Sequence, residues 1–387
     1  MSKGTIVQKS IKVKTRQSNF ELLRIVAMIM IIMFHSVLDS VNRPVGEVFA
    51  SNTELVGALR FIMDFFGNTG VTLFAMISGY FLITAKESDS PFKRASEAGV
   101  KFAGMILYNG IIITGIFAFG LAVINKLGLI NLSTVLPANI FVDINSVFAF
   151  AGGYWYLSAY FILLIFIQPL NRYLNRLQSA KTFFYFIVVI ALGSSIFNYI
   201  PIFAVRDGVN FPLVFVGYVL GAFARKFNPL SKMSAAKIWL IILLYPMYFV
   251  FSFEFLVRGL HVIARGANPA VGYYVGFPVY VLSFLIFTLF MRLNFTNKTI
   301  NLIAPATVFV YIFHTATPYG MFYRAANVLY TNWAMSLGLG HVALTLVVPL
   351  FVFGYAVIIL LVATLLYFVY EGLTRFITGW FVDSIKD

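Results

Sequence analysis

The chain contains no cysteine. That absence removes thiolate nucleophiles, iron–sulfur clusters, thiolate zinc sites and disulfides together, so acyl chemistry would have to rest on His, Ser, Thr, Tyr or a carboxylate. Charge is scarce as well. Asp, Glu, Lys and Arg make up only 11% of the 387 residues, and 14 acidic side chains face 28 basic ones. No internal repeat, low-complexity tract or appended soluble domain is visible. What fills the chain is apolar: 60% hydrophobic residues, 43 Phe and 21 Tyr, with a mean hydropathy of +0.90. This lies outside soluble-domain usage and places the chain in a bilayer.

A net charge of +14 on a soluble domain would suggest nucleic acid. Here the basic residues sit in short connections between apolar runs, where they act as topology signals, so no nucleic-acid partner is expected. Runs of roughly 20 apolar residues suffice to span the hydrocarbon core. Ten are present, at about 20–40, 66–84, 101–124, 153–173, 182–201, 209–227, 237–257, 273–292, 300–320 and 343–371. With the N-terminus in the cytoplasm, only Arg43, Arg60, Lys126, Arg206, Arg258, Arg265 and Arg324 fall outside, and Arg24 falls within the first span. All other Lys and Arg lie inside. The expected architecture is an all-α polytopic bundle of about ten transmembrane helices with both termini cytoplasmic.

Residues 1–18 read as a basic cytoplasmic tail and 19–387 as a single membrane domain. The tail and first span resemble a signal peptide, but no small-residue cleavage site follows, and Glu21 and Arg24 interrupt the start of the apolar run. Residues 52–65 look amphipathic and suit an interfacial segment ahead of the second span. Residues 126–152, with Pro137 and the pair Gly152-Gly153 at its end, suit an irregular lid or re-entrant stretch.

The first span aligns Arg24 and His35, eleven residues apart. Eleven helical residues make about three turns, so both side chains share a face and lie roughly 16 Å apart along the axis. Ionisable groups inside a bilayer are costly and line protein interiors or wet cavities. His35 can be interhelical glue or a reacting group. Asp39 follows at i+4, where it could orient the imidazole. Arg24 can snorkel to the inner interface or clamp an anion at the mouth of a polar track, and spacing alone favours snorkelling. In the second span, Ser78 and Gly79 fall at the depth of Arg24. The glycines Gly67, Gly70 and Gly79 allow either close helix packing or a ligand against the backbone.

His314 sits in the outer half of its span, at a depth like that of His35, whereas His261 and His341 fall in expected outer loops. Tyr154 and Trp155 open the fourth span, as part of an interfacial aromatic belt or as a platform for a sugar ring. Arg60 with Asp64 and Glu254 with Arg258 have the spacing of local ion pairs.

Four stretches, taken in order, resemble the integral-membrane acyltransferase family 3. They are Arg24-x10-His35; Gly70-Val71 through Ser78-Gly79-Tyr80-Phe81; Trp155-Tyr156-Leu157 to Pro169-Leu170; and Tyr311-x-x-His314. The resemblance implies His35 as the catalytic residue, with Arg24 as its partner on the donor side. It also implies acyl-CoA, acetyl or similarly short, as a cytoplasmic donor substrate, and an acceptor hydroxyl reached from the membrane or the outer face. No tightly bound cofactor or metal is implied. Two features depart from the family: Thr72 and Ala75 stand where members often have an acidic and an aromatic residue, and no hydrolase-like domain follows the last helix.

On this reading the chain is an O-acyltransferase of the bacterial cytoplasmic membrane, acting on a cell-envelope or exported polysaccharide or its lipid-linked precursor. Lys93 and Arg94, with Lys101, would help Arg24 attract the donor phosphates. His35 would act as general base or acyl carrier. Tyr311, Tyr154 and Trp155 would face the acceptor, and His314 would position it or donate to the thioester oxygen. The rival reading is a transporter or flippase of a polysaccharide or lipid-linked sugar. Against it stand the few membrane carboxylates, Asp39, Asp64 and Glu254, and the lack of matching broken helices in two halves.

Overall fold

The computed structural model describes residues 16–41, 54–85, 92–128, 154–199, 211–253, 276–315 and 341–384, with positions 90 and 336. Among the described residues the regular elements are helices, and no strand occurs. The order begins with α1 (Ser18–Val41), α2 (Glu54–Leu82) and α3 (Lys93–Leu107). A π-helical turn (Tyr108–Ile113) carries α3 into α4 (Thr114–Lys126). There follow α5 (Trp155–Ile165), α6 (Ile167–Arg176), α7 (Ala180–Tyr199) and α8 (Phe211–Phe227). The chain continues through α9 (Ala235–Phe253), α10 (Phe277–Arg292), α11 (Lys298–Ile303), a 3-10 turn (Ala304–Ala306) and α12 (Thr307–Thr315). It closes with the 44-residue α13 (His341–Ser384).

The described residues of the ten expected spans are helical apart from Ile83, Thr84, Tyr154, Phe166 and Gly276. By length and apolarity, two segments qualify as crossings: Ser18–His35 in α1, with a hydropathy of 1.5, and Leu350–Phe376 in α13, with 2.6. The pair α5–α6 qualifies when taken together and is bent by 64°. Pro169 supplies the reason for the bend, because it cannot donate to the Ile165 carbonyl four residues back and its ring crowds that oxygen. Segments of α7, α9 and α10 are apolar but shorter. Residues 54–65 are the first part of α2 rather than a separate segment; no proline separates them from the expected span. The proposed lid lies almost wholly outside the described residues, as does His261. His341 opens α13 rather than sitting in a loop.

Two cores meet along α1. On one side Phe20, Leu23, Ala27 and Ile31 pack into a cluster with Leu73 and Met76 of α2, Tyr218 of α8 and Phe287 of α10. On the other side Ile25, Met28 and Ile32 join Phe309 and Ile312 of α12 and Ala356 and Ala363 of α13. Small residues set the closest approaches, as membrane bundles favour. A Cβ at Gly70 would lie 2.6 Å from the Ala27 carbonyl oxygen of α1.

Helix-end carbonyls are satisfied by side chains of neighbouring helices. Asn171 donates to Leu82 O at 2.9 Å, Asn19 to Phe290 O at 2.9 Å, and Lys226 to Leu174 O and Leu177 O at 2.9 and 3.0 Å. Burying such orphan carbonyls unpaired would cost a desolvation penalty at each end. These contacts tie α6 to α2 and α8, and α1 to α10.

Candidate active site

A cavity of about 500 Å³ opens between α1, α2, α3, α5 and α12. Its α1 wall is a single helical stripe, Arg24, Met28 and Ile31. His35 lies one turn further along the same face. At the Arg24 end, Arg16, Arg94, Glu97 and Lys101 complete a strongly basic rim. The lining also includes the aromatic residues Phe74, Phe102, Tyr156, Tyr160 and Tyr311. The cavity therefore combines cationic groups suited to an anionic ligand with an aromatic wall, and it falls in the size range of small-molecule sites.

Arg24 does not stand alone. Its Nη1 donates to both Glu21 carboxylate oxygens at 3.0 Å, the Glu21 side chain being 9% exposed and that of Arg24 32%. Nε and Nη2 are not used in this pair, so the guanidinium keeps donors for a second anion. Ser78 reaches the cavity, its Oγ 3.2 Å from Phe74 O and 3.3 Å from the Tyr160 hydroxyl. Tyr160 in turn stacks on Tyr156, with ring centroids 6.1 Å apart and planes at 14°. The Tyr156 backbone N–H donates to the Tyr311 hydroxyl at 3.4 Å, which ties α5 to α12 beside the cavity.

Beyond Tyr311 the two membrane histidines meet. His35 Nδ1 lies 2.9 Å from His314 Nε2, and the ring centroids are 5.0 Å apart. His314 is 2% exposed, and its Nδ1 lies 2.8 Å from Val310 O. The pairing follows from packing: α1 presents Met28 and Ile32 to the α12 residues Phe309 and Ile312, which brings the next turns of both helices together. Neither histidine lines the cavity, but each follows a lining residue of its own helix by about one turn: His35 follows Ile31, and His314 follows Tyr311.

The structure thus brings together Arg24, Ser78, Arg94 and Tyr311 around one cavity, and His35 with His314 beyond it. It separates others. Lys93 is exposed and points away from the lining, whereas Arg94, Glu97 and Lys101 share the cavity face of α3 at i, i+3 and i+7. Gly79 faces α8 rather than the cavity, because a Cβ there would run into the Tyr218 carbonyl. Trp155 stands edge-on to Tyr156 at 6.2 Å and lies outside the lining. Tyr154 is 1% exposed, and its hydroxyl has no hydrogen-bond partner among the described residues. The side chain of Asp39 lies outside the described residues, and His35 Nδ1 is taken up by His314.

Sequence reasoning did not single out Tyr160 or Glu97 as site residues. Tyr156-x3-Tyr160 and Arg94-x2-Glu97-x3-Lys101 are the same-face spacings that would have found them.

Comparison with curated proteins and with solved structures gave no match. The family described as acyltransferase domain, Acyl_transf_3, matches residues 17–368. That region takes in the histidine pair and every residue of the basic cavity except Arg16, and the chain accordingly belongs to acyltransferase family 3, a family of membrane acyltransferases.

Proposed function

We propose that this protein transfers a short acyl group, acetyl in the simplest case, from acyl-CoA to a hydroxyl of a cell-envelope or exported polysaccharide, with His35 as general base. The observation that carries the reading is the stripe on α1: an arginine in a basic cavity and a histidine about 16 Å further along the same unbroken helix. A donor that engages both must separate its anionic group from its reacting carbon by a comparable length. Acyl-CoA does so through its pantetheine arm, whereas a small acyl phosphate carries phosphate and acyl carbon side by side.

In this reaction the donor phosphates sit among Arg24, Arg94 and Lys101, and the pantetheine arm follows the aromatic wall. The acceptor hydroxyl loses its proton to His35 Nε2 while its oxygen attacks the thioester carbonyl carbon. The C–S bond of the tetrahedral intermediate then breaks, and the proton on Nε2 passes to the departing sulfur, giving the ester and free CoA thiol. General-base catalysis of this kind contributes about 10²–10⁴-fold. The distribution of Lys and Arg supports a ten-span chain in a bacterial cytoplasmic membrane with its basic cavity end inward, so that CoA enters from the cytoplasm.

The test incubates purified wild-type protein and His35→Ala with radiolabelled acetyl-CoA and an envelope-glycan extract. Label on glycan with wild type alone supports the reaction and the role of His35. Full transfer by the variant removes His35 from the mechanism. Absence of CoA turnover by both proteins overturns acyl-CoA as the donor.

A further inference from the structure

We infer that His314 is the positioning residue of this site: it fixes His35 in the tautomer that leaves Nε2 free to take a proton, a place that a carboxylate fills beside many catalytic histidines. The inference rests on the reading of His35 as base, and a row of hydrogen-bonded atoms carries it. His314 Nδ1 lies 2.8 Å from the Val310 carbonyl oxygen. A carbonyl oxygen only accepts, so Nδ1 bears the hydrogen. A neutral imidazole has one N–H, and His314 Nε2 is therefore an acceptor.

That acceptor lies 2.9 Å from His35 Nδ1, which must then donate. The single N–H of neutral His35 is thereby committed, and its Nε2 is left with an open lone pair. Among the described residues no carboxylate bonds to either ring, and the Val310 carbonyl sets the direction of the row. When Nε2 takes the acceptor's proton, the Nδ1–H to Nε2 bond remains in place and gains strength, because its donor is now cationic. His314 can hold this orientation because it is packed on all sides: 2% exposed, with its ring 5.7 Å from Tyr311 and 5.0 Å from His35.

The experiment combines two readouts. The chain has four histidines, so selective ¹⁵N-histidine labelling of the full-length protein in lipid gives a spectrum that His35→Ala assigns by difference. Wild-type His35 should show a protonated Nδ1 and an unprotonated Nε2, and His314→Ala should show both tautomers. In steady-state transfer of labelled acetyl groups, His314→Ala should lower kcat by about 10²-fold or more, toward the 10⁴-fold known for a histidine left in the wrong tautomer, while the KM for acetyl-CoA stays within about twofold. His314→Gln offers an amide oxygen where Nε2 stood and should recover about tenfold of that loss.

A wild-type His35 protonated at Nε2, or undiminished kcat in His314→Ala, overturns the inference. The wild-type spectrum requires no variant at position 314 and decides the matter even where His314→Ala does not fold. Full activity of His35→Ala overturns the proposed function instead. An inactive His35→Ala beside a fully active His314→Ala overturns only the role of His314.

Discussion

Gly79 of α2 lies directly against the carbonyl of Tyr218 in α8, with no room between them for a side chain. The contact is reciprocated one turn away, where Gly221 faces the Met76 carbonyl in the same manner. Both neighbours are backbone, which cannot swing aside as a side-chain tip would. Gly79→Ala is therefore expected to force the two helices apart and to destabilise the protein by about 1–3 kcal/mol, the usual cost of overpacking. Thermal unfolding in detergent measures this. Unchanged stability with weakened donor binding would return Gly79 to the donor site.

Arg24 holds Glu21 through Nη1 alone and also lines the cavity, so its other nitrogens keep donors for a bound anion. A lysine ammonium is a compact charge without the planar geometry of a guanidinium. Arg24→Lys should raise the KM for acetyl-CoA about tenfold and lower kcat far less. Steady-state kinetics with a fixed acceptor reads the split. An unchanged KM would leave Arg24 as an interfacial anchor only.

The basic rim predicts salt dependence. Charges that gather an anionic ligand at an open cavity mouth are screened over about 10 Å at 0.1 M ionic strength. The double variant Arg94→Glu with Lys101→Glu should raise the donor KM at least tenfold at low salt, in line with the lower range of electrostatic steering. It should also flatten the rise of KM with salt seen in the wild type. A salt response identical in both proteins would detach these residues from donor capture.

Tyr154 keeps a buried hydroxyl without a partner among the described residues, and an unsatisfied buried group costs about 1–3 kcal/mol relative to a satisfied one. Tyr154→Phe should therefore be more stable than wild type by about 1 kcal/mol. If the hydroxyl meets the acceptor, the same variant should show a higher KM for glycan with the KM for acetyl-CoA unmoved. Glycan kinetics equal to wild type would assign Tyr154 to packing alone.

The α1 stripe was legible in the sequence because helical periodicity fixes which side chains share a face, whatever the helix packs against. The shared depth of His35 and His314 was legible too, by counting residues along apolar runs. Their direct contact was not, since it depends on how α1 and α12 are set against each other by Met28, Ile32, Phe309 and Ile312. Gly79 shows the limit from another side: a glycine in an apolar helix admits a ligand or a neighbouring backbone equally well, and only the position of Tyr218 decides. On α3 the choice between Lys93 and Arg94 turned on one residue, a rotation of about 100°, and hydropathy carries no phase information at a helix end. The number of crossings depends on connections that lie largely outside the described residues.

The ion pair between Glu21 and Arg24 has a consequence for how the protein is made. A charged side chain in a membrane helix costs up to about 2.5–3.5 kcal/mol on insertion, the figure for the helix centre, and the first crossing, at a hydropathy of 1.5, is the less apolar of the two long ones. Because the partner stands three residues away on the same helix, the arginine is neutralised as soon as that turn of helix forms, before any other helix has been synthesised. α1 can thus leave the ribosome and enter the bilayer with its anion-binding residue already in place, and the later helices assemble around it.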